Sequence, residues 1–123
     1  MGNSDFKISN EQIQQGDKPV TIFHLRGWLD AQSENNLVEA AQNALTQGTH
    51  YLVLNMSDID MLTSAGIRAI QKVHKLYSSS DQPSVMRLCS ASPQVYHVLS
   101  MTGFLQTVPM YETTQAALKS LEM

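Results

Sequence analysis

With 123 residues, 42% of them hydrophobic, the chain is sized for one domain with a core of its own, needing neither disulfide nor metal. A formal charge of −3 leaves no basic surplus for phosphate backbones, which excludes nucleic acid as a partner class. No apolar run reaches bilayer-spanning length, the first residues Met1-Gly2-Asn3-Ser4-Asp5 form no signal-peptide core, and the single Cys89 cannot close an internal disulfide, so a cytoplasmic setting without membrane insertion is expected.

Residues 1–17 are polar apart from Phe6, Ile8 and Ile13, and read as an N-terminal segment able to form an edge strand, ahead of a domain over 18–123. Val20 to Leu25 is rich in β-branched residues and reads as a strand that Gly27 breaks or turns. Trp28, just after it, reads as core or as a partner contact, with core the expectation. Ser33 stands where a helix N-cap belongs, and Leu37, Val38, Ala41 and Leu45 form a stripe that predicts a helix over about 34–47, stopped by Gly48. Tyr51 to Met56 is nearly all apolar, as a central strand should be, and Ser57 to Leu62 reads as a loop.

From Gly66 onward, Ile67, Ile70, Val73 and Tyr77 recur at helical spacing, which predicts a helix over about 64–78. Thr63 and Ser64 stand at its start. A hydroxyl there can cap the unpaired amides of the first turn, or carry an anion that the positive end of the helix dipole tolerates. Thr63 suits the cap and Ser64 the exposed position. Ser78 to Pro83 reads as a turn and Val85 to Cys89 as a strand. Ser92-Pro93 opens a helix with Val95, Val98 and Leu99 on its apolar face and Gly103 at its end. Val108 to Tyr111 suits a short strand, and Thr113 opens a last helix with Ala117, Leu118 and Leu121. Strands and helices alternate throughout, which predicts a single α/β domain: a mixed, mostly parallel sheet of 4–5 strands packed with about four α-helices.

Enzyme chemistry finds little footing. Ser64 lacks the first glycine of a Gly-x-Ser-x-Gly elbow, no phosphate-cradling glycine loop exists, and no nucleophile–base pair is visible. His24, His50, His74 and His97 fall on separate elements without metal-ligand spacing. No catalytic residue, metal or cofactor is therefore expected. Asp58 and Asp60 read either as turn formers or as an acidic rim beside Ser64. Asp30 carries the same ambiguity. It follows the strand before the one preceding Ser64, and loops at strand C-termini gather on one edge of an α/β sheet.

The chain resembles the sulphate-transporter and anti-sigma-factor-antagonist (STAS) domain over roughly Val20 to Leu121. The opening strand with Gly27-Trp28-Leu29-Asp30, the strand Leu52 to Ser57, the helix start Thr63-Ser64-Ala65-Gly66-Ile67 and the late segment Leu99 to Phe104 match the family's segments in order. The resemblance implies a bacterial regulator that binds an anti-sigma factor and so releases a sigma factor. A Ser/Thr protein kinase, often the anti-sigma factor itself, would phosphorylate Ser64, with Thr63 as the alternative, and a PP2C-type phosphatase would reverse it. Asp30, Asp58, Asp60, Thr63, Ser64, Ala65, Gly66 and Arg68 are the residues expected at the partner surface. Thr63 and Asn55 stand where many members have Asp. A constitutive interaction module of the same fold, without phosphorylation, is the alternative, and a homodimer is compatible with either.

Overall fold

The computed structural model describes residues 5–80 and 84–121. Five strands form one sheet in chain order: β1 (Lys7–Gln15), β2 (Lys18–Leu29), β3 (Tyr51–Leu62), β4 (Val85–Cys89) and β5 (Met110–Tyr111). β1 runs antiparallel to β2; every later pairing is parallel. The antiparallel hairpin closes through Gly16-Asp17, with Gly16 at φ 65°, a backbone shape that a tight two-residue turn requires. Helices α1 (Glu34–Thr46), α2 (Ser64–Ser78), α3 (Pro93–Met101) and α4 (Thr114–Lys119) make the crossovers and the final turn, with a 3₁₀ turn at Phe104–Gln106.

Alternation along the strands sorts the side chains onto two faces. On one, Phe23, Leu25, Leu52, Leu54 and Leu88 pack under Leu37 and Ala41 of α1, Ile70, Val73 and Tyr77 of α2, and Val95 and Leu99 of α3. On the other, Val20, Ile22, Val53 and Cys89 are covered by Ala117 of α4 and Leu121 just beyond it, with Ile13, Tyr51, Val85, Tyr111 and Leu118 packed around them. Polar side chains join the same face further along β2. There His24 lies 2.8 Å from Glu11 of β1, and the Asn55 amide donates to the His24 ring at 2.8 Å.

Caps follow the sequence closely at three helices. Thr63, Ser92 and Thr113 each accept a backbone N–H from the first turn of α2, α3 and α4. Ser33 holds the N-cap position of α1 without capping it; its hydroxyl donates to the Trp28 carbonyl at 2.9 Å instead.

Two strands run further than their apolar runs suggest. β2 continues through Gly27 to Leu29, and β3 continues through Ser57 to Leu62, the stretch expected to be a loop. The extensions pair with each other, and the register slips twice, between His24 and Arg26 and between Gly27 and Trp28. Such bulges absorb an extra residue and re-aim the side chains beyond it. Gly27 therefore does not end the strand. It sits at φ 94°, and a Cβ there would stand 2.1 Å from the Asp5 carbonyl oxygen. Of the turn expected over Ser78 to Pro83, residues 81–83 lie outside the described residues.

Candidate functional site

The C-terminal ends of β2 and β3 deliver Asp30 and Ser64 to the same place. Both line a groove of about 990 Å³, together with Phe6, Lys7, Trp28, Asn36, Thr63 and Ala65. Ser64, the first residue of α2, is exposed. Its neighbour Thr63 is half-buried and engaged. The Thr63 Oγ1 accepts the Gly66 N–H at 3.3 Å, and the Thr63 N–H donates to the Leu29 carbonyl at 3.2 Å. The two hydroxyls thus divide the labour: one holds the helix start, the other faces solvent at the dipole-positive end.

Asp30 is half-buried, and its carboxylate accepts the N–H groups of Gln32 and Ser33 at 3.1 and 3.2 Å. It thereby shapes the entry to α1, a role that its spacing from Ser33 allows. Ala65 is half-buried on the groove wall. Asp58 and Asp60 are exposed on the extended β3 but are not among the groove-lining residues.

Two expected surface residues have other duties. Gly66 is buried: a Cβ there would lie 2.1 Å from the Leu29 carbonyl oxygen, so the missing side chain lets α2 close onto β2. Arg68 points its guanidinium at Glu34 of α1, with Nε and Nη2 each 3.1 Å from a carboxylate oxygen. Lys72 adds a third contact to Glu34 at 2.7 Å. This pair of cations, Arg68 foremost, holds the Glu34 carboxyl down at about 2, and the Arg68 guanidinium is raised in turn.

The groove also holds residues that sequence reasoning did not assign to it. Trp28, expected in the core, is half-buried on the groove wall, because it has the opposite parity to Phe23, Leu25 and Leu29 along β2 and so faces away from the core those three enter. Lys7 and Phe6 arrive on β1 and just before it, from a segment whose apolar pattern gave no hint of a site.

Asn55 explains itself by geometry. Its amide nitrogen donates to His24 while its oxygen accepts the Ser57 N–H at 3.1 Å, so one uncharged side chain makes both bonds.

The profile of the STAS domain matches residues 12–117. The chain belongs to the STAS domain family. Among curated relatives, this STAS domain is 26% identical to the anti-sigma F factor antagonist of Paenibacillus polymyxa over 116 residues, covering 93% of this chain and 97% of that one. Among solved structures, an anti-sigma factor antagonist from Mycobacterium paratuberculosis superposes with a TM-score of 0.82 at 19% identity, over 96% and 95% of the two chains. The Bacillus cell fate determinant SpoIIAA in its phosphorylated form gives 0.68 at 16% identity, over 96% of this chain and all (100%) of that one. At those identities the structural neighbours establish the fold. Among the described residues, no helix is long and apolar enough to cross a membrane.

Proposed function

We propose that this STAS domain is an anti-sigma factor antagonist, a non-enzymatic regulator of transcription controlled by phosphorylation of Ser64. In the cytoplasm of a bacterial cell, the unmodified protein binds an anti-sigma factor through the rim of the Ser64 groove and so frees a sigma factor. A Ser/Thr kinase, in the simplest arrangement the anti-sigma factor itself, phosphorylates Ser64, and a PP2C-type phosphatase resets the switch. The proposed contact surface comprises Asp30, Thr63, Ser64 and Ala65, with Asp58 and Asp60 as an outlying acidic flank. Gly66 and Arg68 act beneath and beside it.

The observation that carries this reading is the exposure of Ser64 at the start of α2, on a groove wall, next to a Thr63 already occupied as cap. A phosphoryl group adds roughly −1.5 to −2 charges and three strong acceptors. The first-turn amides of Ser64 and Ala65 tolerate it, so the domain stays folded. Inside a docked interface the same group must be desolvated, and a loss of about 3 kcal/mol there lowers affinity by roughly two powers of ten. The switch then needs no large change of shape. The curated relatives' names, and the solved phosphorylated form of SpoIIAA, support the same reading.

The test is calorimetric titration against a co-purified anti-sigma factor. Ser64→Ala should bind as the unmodified protein does, and Ser64→Asp should bind at least about a hundredfold more weakly. Equal binding by both variants removes the switch. The second reading, a constitutive interaction module, draws on Thr63 and Asn55, which stand where many family members carry a carboxylate. Incubation with cell extract and ATP decides between them: the switch gains the mass of one phosphoryl group at Ser64, and the module gains none.

A further inference from the structure

Away from Ser64, the outer seam between α1 and α2 forms a second groove of about 560 Å³. Its apolar lining is Val38 and Leu45 of α1 and Leu76 of α2, and its rim carries Lys72 and Lys75. All three aliphatic side chains are only half-buried, although they pack against the core. Charge is unevenly placed here. The molecule is net negative, yet α2 carries Arg68, Lys72 and Lys75 and no acidic residue. Glu34 answers Arg68 and Lys72, whereas Lys75 stands exposed on the groove rim. Glu39, the other acidic residue of α1, is not among the groove's lining residues.

We infer that this groove is a second docking surface, and that its occupant is an acidic amphipathic helix of a protein partner. Aliphatic side chains spaced one turn apart on such a helix would lie between Val38, Leu45 and Leu76. Acidic residues flanking that stripe would meet Lys75, with Lys72 beside it already paired to Glu34. The local charge selects this occupant, because a basic helix meets like charges at the rim. An anionic membrane surface needs a broader basic field than a pair of lysines supplies. Lys75 lies eleven positions beyond Ser64, about 16.5 Å along the helix axis, so both surfaces can be engaged at once. The docking surface does not depend on phosphorylation of Ser64.

The experiment uses the full chain, isotope-labelled for NMR, titrated with stapled helical peptides that carry a leucine stripe flanked by glutamates. Saturable shifts should appear at Val38, Leu45 and Leu76 and leave Ser64 unmoved. Lys75→Glu should weaken binding by about tenfold or more, and added salt should weaken it for the unsubstituted chain. Lys75→Gln, a milder change at the same exposed position, should give an intermediate loss and guards against a folding defect in the reversal. The inference is overturned if the acidic peptides leave those residues unshifted. Equal binding of lysine-flanked peptides, unchanged affinity in both variants, or the same shifts produced by anionic vesicles and not by the peptides would each overturn it too.

Discussion

A methyl group on Gly66 would collide with the Leu29 carbonyl and the Leu62 side chain, at 2.1 and 2.9 Å. Backbone on one side and core on the other leave the first turn of α2 nowhere to retreat but outward. Gly66→Ala should therefore cost about 1–3 kcal/mol in urea denaturation and weaken partner binding by displacing Ser64. A Gly66→Ala protein as stable as its parent would show that the close approach is not needed. Thr63 presents a different case, since its hydroxyl is already engaged as the cap of α2. Thr63→Ala should lose about 1 kcal/mol of stability and still accept phosphate at Ser64. Loss of the modification in that variant, with the fold intact by circular dichroism, would reassign the acceptor to Thr63.

At the scale of elements, Glu34, Arg68 and Lys72 lock α1 to α2 on the surface between the two grooves. The Glu34 carboxyl sits at about 2 in the folded protein against an ordinary value of 4.5. A depressed acid contributes stability that is complete above pH 4.5 and is lost as pH falls toward 2. Glu34→Gln should flatten the pH dependence of unfolding over that acid range, measured by urea titration at successive pH values. An unchanged slope would mean that the clamp adds nothing. This lock also shows what a linear reading misses. Glu34 reads as a first-turn acid and Arg68 as a surface cation, because nothing in sequence announces a pairing across α1 and α2. The helices themselves were legible, since their apolar stripes and the caps Thr63, Ser92 and Thr113 are local signals. The far ends of β2 and β3 were not: Gly27 reads as a breaker in β2, and extra residues in β3 break the alternation that marks a strand. Trp28 lies on the extension of β2 beyond Gly27, so its place on the groove wall was hidden with that extension. Ser64 and Asp30 were legible because each is tied to a strand end.

For the molecule as a whole, the sheet is held from its middle. β3 lies between β2 and β4, and Leu52, Val53, Leu54 and Met56 are fully buried. β1 packs its side chains largely toward solvent, and β5 contributes only Met110 and Tyr111. Hydrogen exchange should follow this gradient, with the β3 amides slowest and those of β1 and β5 opening locally. Faster exchange in β3 than in β1 would contradict it. Lateral position in the sheet also repeats position along the chain, from β1 through β5. No strand has to wait for a later one to be inserted beside it. As the polypeptide leaves the ribosome, each new strand meets its neighbour already in place, so assembly can proceed by simple accretion from the hairpin outward. The Ser64 groove, built from β1, β2 and the start of α2, is thus complete in outline while the last third of the chain is still being made.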